Sequence, residues 1–255
     1  MEELKIINAR KRLLQMHYES GVGHIGGNLS CLDILLSIFD QFNFGSDVLI
    51  LSKGHSAGAL YVALWAFGKI SDEELKTFHK ENTRLSGHPP CNLIPEVIFA
   101  TGSLGHGLSL AAGTALAKKL KQEGGHVYCL LSDGECQEGS TWEAFIFIAH
   151  HQLLNITMLI DNNGLQGFGV VKEISSMYLL REKLGGFPFQ FFEISGHDYG
   201  DISTALREDA INPRLFILKT VKGNGVSFME NQMEWHYLPM NAEQYKLAIS
   251  EVESV

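Results

Sequence analysis

The chain has 255 residues, 45% of them apolar, and 20 Lys and Arg against 29 Asp and Glu give a net charge of −9. That length suits one large α/β domain or two small ones, and the apolar share is ample for a buried core. With no basic patch to neutralise phosphates, nucleic acid is not expected as a partner; no apolar run reaches the roughly 18 residues of a membrane span, so none is expected.

Apolar positions at helical spacing (Leu4, Ile7, Leu14) predict a helix over 4–18. Residues 21–27 form a glycine-rich loop, and Ser30 with Asp33 three residues on has the form of a capping box opening a helix to about Phe39. A short buried strand over 47–52, an apolar helix over 57–67 and a short helix capped by Ser71 with Glu74 follow. Residues 82–95, with prolines at 89, 90 and 95, are polar and form a loop. The next helix, over 105–122, is rich in Ala and Leu and is closed by Gly124-Gly125. Then come strand 127–131, helix 141–153 and strand 156–160. Strand 189–194, helix 201–207 and strand 215–220 complete the regular part. Lys222 opens an irregular tail, and Asn241 caps a terminal helix. This alternation predicts an α/β fold, a parallel sheet with helices on both faces, in a single domain over 1–255.

The four cysteines, Cys31, Cys91, Cys129 and Cys136, form no Cys-x-x-Cys pair, which argues against zinc. Cys31 and Cys129 lie in apolar runs and are expected as reduced core thiols, which favours the cytoplasm, and the N-terminus lacks a signal-peptide pattern.

Two strands in succession break on a carboxylate or amide beside glycine: Ser132-Asp133-Gly134 and Asp161-Asn162-Asn163-Gly164. Singly, each is an ordinary strand-to-helix turn. In a parallel sheet, strands joined by a crossover helix end on one edge, and ligands bind outside those carboxyl ends. Asp133 and Asn163 therefore meet at one edge. A carboxylate, an amide oxygen and a nearby carbonyl are hard donors suited to Mg2+, and Gly134 admits an anion close to backbone N–H groups at a helix start.

This stretch resembles the diphosphate-binding motif of thiamine diphosphate (ThDP) enzymes. Its decoration, Glu138-Gly139 and Trp142-Glu143-Ala144, is that of the transketolase family. SGVGHIGGNLS (20–30), LILSKGHSAGALY (49–61), SGHPP (86–90), TGSLGHGLSLAAGTALA (101–117) and KTVKGNGVSFMENQMEWH (219–236) are similar to further family segments, in the family's order. The resemblance implies that Asp133, Asn163 and the Leu165 carbonyl hold Mg2+, and that Gly134 contacts the diphosphate. The Gly102-Ser103-Leu104 turn would pass under the aminopyrimidine. His55 and His236 would face the cofactor phosphates, and His24 and His88 the substrate oxygens. Glu138 would lie at a subunit contact, in the carboxylate network that activates the pyrimidine. His236 is thereby both a cofactor-binding and a catalytic candidate, beside His24, His88 and Glu138.

Four positions depart from the family pattern: Ser132 and Tyr237 where glycine is usual, Ile25 where proline is, and His106 where Gln is. Both Asp133 and Asn163 are expected on solvent-accessible loops, while Trp142 and Phe145 are expected as core. Fewer than twenty residues follow His236, whereas a full transketolase carries a pyrimidine-binding and a third domain. The resemblance thus implies a split, ThDP- and Mg2+-dependent enzyme. It would move a two-carbon ketol unit from a ketose, phosphorylated or otherwise anionic, to an aldehyde. A second chain would supply the pyrimidine-binding half within an α2β2 assembly built on a dimer of this chain. A related carboligase, acyloin-forming or using a 2-oxoacid, and a non-catalytic scaffold remain alternatives.

Overall fold

A computed structural model describes residues 2–175 and 179–254 of the protein. In chain order the elements are α1 (Glu2–Ser20), α2 (Ile25–Phe39), β1 (Val48–Leu51), α3 (Ala57–Ala66), α4 (Asp72–Leu75) and α5 (Gly107–Lys121). After them come β2 (Val127–Ser132), α6 (Gly139–His151), β3 (Ile156–Asn162), α7 (Val171–Ile174) and α8 (Leu180–Leu184). The chain then forms β4 (Gln190–Ser195), α9 (Tyr199–Leu206), β5 (Arg214–Lys219) and α10 (Ala242–Glu253). The strands make one sheet in the order β1-β2-β3-β5-β4, and every pairing is parallel.

Side chains alternate across a strand, and the core divides accordingly. Leu49, Leu51, Leu130, Leu159, Phe216 and Leu218 pack with α1, α2, α3, α9 and α10. Their neighbours Ile50, Leu131, Ile160, Leu215 and Ile217 pack with α5, α6 and α8 on the other face. The sheet is therefore covered on both sides, which leaves its carboxyl end as the edge open to a ligand. Ser132 pairs with Asp161 and Asn162 with Lys219, so three strands end at nearly one level. Among the described residues, no helix is long and apolar enough to cross a membrane.

Two expectations are corrected. Ser30 and Asp33 do not cap α2, which begins five residues before Ser30, at Ile25, and is buried along its whole length. Gly26 and Gly27 do not break this helix. An added Cβ at Gly26 would stand 3.1 Å from Lys222 Cγ and 3.2 Å from Trp235 Cβ, so close packing requires a small residue there. Ser30 instead donates to Asp161 Oδ2 at 2.6 Å, and Asp33 accepts from Arg10 Nη2 at 2.6 Å. Their polarity serves long-range pairs inside the core rather than free helix-terminal N–H groups. Likewise α5 ends on Gln122 in the left-handed region (φ 57°), not on Gly124-Gly125. Asn241 does cap α10, in a reciprocal capping box with Gln244.

Candidate active site

A cleft of about 240 Å³ opens at the carboxyl edge of the sheet. His55, His88, Gly102, Leu104, Asp133, Gly134, Asn163, Leu165 and His236 all line it. His24 stands immediately beside them, its ring centroid 5.0 Å from His236, 5.7 Å from His55 and 6.2 Å from His88. Residues from seven separated segments thus converge, among them the turns just past β2 and β3 and the start of α2.

Asp133 follows β2, and its carboxylate joins the two strand-end turns. Oδ1 accepts from Gly134 N at 2.7 Å and Oδ2 from Gly164 N at 2.6 Å. Asn163 Oδ1 accepts from Leu165 N at 3.0 Å. The expectation of a solvent-accessible Asp133 is overturned: the residue is 2% exposed, because the turn after β3 closes over it. Burial, with Asp161 nearby, pushes its carboxyl up to about 7, against the two backbone donors. A buried carboxylate held only by neutral donors, beside an amide oxygen and a backbone carbonyl, is a donor set that fits a hard divalent cation. Among the described residues, no cluster of three His, Cys, Asp or Glu forms an all-side-chain metal site.

The four histidines of the cleft are held below the ordinary imidazole range. Burial lowers His24, His55, His88 and His236, with neighbouring His and Lys charges adding to it, and His236 falls to about 3. A neutral imidazole offers one donor and one acceptor. His24 caps α2 in the left-handed region (φ 66°), a strained backbone held by His24 N donating to His236 O at 3.1 Å. His88 lies on Gly102, whose φ of +142° and missing Cβ leave room for the ring. The Tyr61 hydroxyl donates to Ser86 O at 2.9 Å and so fixes the loop that carries His88.

Glu138 does not line the cleft; it is exposed, packed behind the turn at Gly105. His106 caps α5 from outside, its Nδ1 at 3.2 Å from the Ser103 and Leu104 carbonyls, so it closes the turn. Phe145 is core, and Trp142 is half-buried and donates from Nε1 to Cys136 O at 2.9 Å. Of the departures, Ile25 is core, and Ser132 caps the following turn by accepting from Glu135 N at 3.3 Å. Tyr237 reaches the cleft mouth because Gly167 is opposite: an added Cβ there would lie 2.5 Å from its hydroxyl.

Three further groups have partners that no sequence pattern shows. Lys53 and Asp161, 1% and 0% exposed, form a buried ion pair under the cleft, and Lys53 Nζ also donates to Gly27 O at 3.1 Å. Burial would raise Asp161 and lower Lys53, but each charge overrides that for the other, leaving Asp161 lowered and Lys53 raised. Glu135 is buried and raised by that burial, and it accepts from the Ser52 hydroxyl and from Gly105 N at 2.8 Å. Lys222 lines the cleft at 2% exposure, with Nζ 3.0 Å from His236 Nδ1, and burial lowers it to about 8.

The thiamine diphosphate binding domain of transketolase matches residues 4–252. The chain belongs to the transketolase family. It is similar to one of the subunits of an apulose-4-phosphate transketolase from Phocaeicola vulgatus, 39% identical over 98% of this chain and 93% of that one. A 6-deoxy-6-sulfo-D-fructose transketolase subunit from Clostridium sp. is 34% identical over 96% of this chain and 93% of its own length. Human transketolase is 32% identical over the whole of this chain, which spans 42% of that protein. The crystal structure of transketolase from Campylobacter jejuni superposes with a TM-score of 0.88 and 28% identity, over 99% of this chain and 43% of that one.

Proposed function

We propose that this chain is the diphosphate-binding subunit of a two-component, ThDP- and Mg2+-dependent transketolase. The observation that carries the reading is the convergence of Asp133, Asn163, the Leu165 carbonyl and a cluster of histidines on one cleft at the strand ends. The relatives that match it over nearly their full length are named as transketolase subunits.

Thiamine diphosphate supplies an electron sink for carbonyl chemistry. Asp133, Asn163 and the Leu165 carbonyl would hold Mg2+, with Gly134 N–H beside the diphosphate. His55 and His236 would donate to its phosphate oxygens. Lys222, which has no carboxylate partner among the described residues, adds the cationic charge that an anion in this cleft needs. The Gly102–Leu104 turn, held by Glu135 through Gly105 N, would hold the aminopyrimidine side of the cofactor. His24 and His88 face the substrate side, where they orient hydroxyls and move protons. Glu138, exposed beside that turn, meets the pyrimidine-binding partner. The substrate class is an anionic ketose donor, in keeping with the phosphorylated and sulfonated sugars in the relatives' names.

This chain alone is expected to show no ketol transfer, and activity is expected on mixing with a co-encoded pyrimidine-binding subunit. The assay uses a panel of phosphorylated ketose donors and aldehyde acceptors. Turnover by the lone chain sinks the two-component reading. Within the active complex, His55→Ala and His236→Ala are expected to weaken mainly ThDP affinity, by about 1.5–3 kcal/mol each, as for a lost hydrogen bond to a charged group. His24→Ala and His88→Ala are expected to lower turnover at saturating ThDP instead. Steady-state kinetics over a ThDP series separates the pairs, and identical behaviour refutes the division.

A further inference from the structure

One partly buried polar chain is not used by the chemistry above, yet it ends on the cleft. Asp33, fully buried on α2, accepts two bonds on Oδ2, from Arg10 Nη2 at 2.6 Å and from His197 Nδ1 at 2.9 Å. The other ring nitrogen, His197 Nε2, lies 2.8 Å from Val221 N. A backbone amide can only donate. Nε2 is therefore an unprotonated acceptor, and the ring is the neutral tautomer with its hydrogen on Nδ1, facing Asp33.

Val221 precedes Lys222, the cation of the cleft, whose amine meets His236 at 3.0 Å. The same turn is tied on by Gly223 N donating to Gly26 O at 2.9 Å and by Asn231 N donating to Lys222 O at 2.9 Å. Arg10 closes on its far end: an added Cβ at Gly225, where φ is +84°, would lie 3.3 Å from Arg10 Nη1. Residues from α1, α2 and the β4–α9 connection thus hold a single turn from behind, while its side chain points at the ligand space.

We infer that His197 and Asp33 are positioning residues of the cleft, which fix the Val221–Gly223 turn so that Lys222 and His236 present their nitrogens to the diphosphate. The inference rests on the cleft being the diphosphate pocket. Asp33 sets the tautomer, the tautomer sets the acceptor, and the acceptor sets the place of the Lys222 backbone. A carboxylate that orients a histidine whose far nitrogen does the work is the arrangement used to hold metal-ligating histidines; here the far nitrogen holds a loop.

Two conservative variants separate the two bonds. His197→Gln places an amide oxygen near the position of Nε2 and keeps an acceptor for Val221 N. His197→Asn places an amide nitrogen near Nδ1, keeping the donor to Asp33 but losing Val221. Hydrogen exchange on the ligand-free full chain reads the Val221 amide directly, and calorimetric titration with ThDP and Mg2+ reads the cleft. The Asn variant is expected to exchange Val221 about five- to tenfold faster and to bind ThDP weaker by about the same factor. The Gln variant is expected within about threefold of wild type on both, a spread of under 1 kcal/mol. Thermal unfolding midpoints should be alike in the two variants. Equal losses in both would show a packing role only and overturn the inference, as would an Asn variant with wild-type exchange and affinity. Should the Asn variant fail to fold, the Gln variant decides: a protected Val221 amide with near wild-type affinity supports the tether, and a lost one overturns it. A wild-type chain that binds no ThDP removes the reading of the cleft, while the exchange data still decide whether His197 holds the turn.

Discussion

Asp133→Asn is expected to lower Mg2+-dependent ThDP affinity by more than about 100-fold, beyond the 10- to 100-fold typical of changes one shell out from a metal. The variant removes one negative charge and keeps an oxygen for one of the two backbone donors, Gly134 N or Gly164 N. Asp133→Ala removes both acceptors from buried N–H groups, so its folding loss of about 2–3 kcal/mol would mix with the loss of binding. The Asn variant is therefore the sharper probe. In the metal-free protein it should be less destabilised than Asp133→Ala, because it strands one buried N–H group rather than two and no Lys or Arg is in ion-pair contact with the carboxylate among the described residues. Wild type with Mg2+ and ThDP at about 100 times the dissociation constant should gain about 2.7 kcal/mol, a rise of roughly 5–10 °C in Tm for a chain of this size. The Asn variant should gain almost nothing. An equal rise in both proteins would show that Asp133 does not carry the metal.

The strand-end pair was legible in the sequence because it needs only topology. Once β2 and β3 are parallel and joined by α6, Asp133 and Asn163 must share an edge, and Ser132 opposite Asp161 in the register places them there. The four histidines were legible only through motifs, since periodicity says nothing about which loops meet. What stayed hidden has one physical cause, partners far apart in the chain. Lys53 and Asp161 are 108 positions apart, and His197 and Asp33 are 164. The same cause misled the reading of Ser30 and Asp33, whose spacing imitates a cap while their bonds go to Asp161 and Arg10. Gly26 and Gly27 imitate a loop because the rule that glycine breaks helices is local, whereas the space they leave is filled by distant residues, Lys222 and Trp235 at Gly26 and His55 and Ser56 at Gly27. A buried acid such as Glu135, two residues beyond Asp133, carries no pattern of its own, and its partners Ser52 and Gly105 lie on other loops.

Lys53→Met is expected to destabilise the fold by about 3–5 kcal/mol, as when one member of a buried ion pair is removed and the other is left uncompensated. Asp161 would then be a fully buried carboxylate held by the Ser30 and Thr220 hydroxyls alone. Pairing the change with Asp161→Asn should recover most of the loss, because the double variant buries no net charge and keeps an oxygen acceptor for one of the two hydroxyls. Asp161→Asn alone should also cost several kcal/mol, roughly as much as Lys53→Met, since it strands the ammonium of Lys53 in the same place. Urea unfolding of the four proteins gives a double-mutant cycle whose coupling term measures the pair directly. The pair sits on the floor of the cleft, where Lys53 Nζ also donates to the Gly27 carbonyl of α2. It therefore joins β1, α2 and β3 beneath the residues proposed to hold the metal and the diphosphate. If the two single losses simply add in the double variant, the charges act independently, and the floor of the cleft is held by packing rather than by this ion pair.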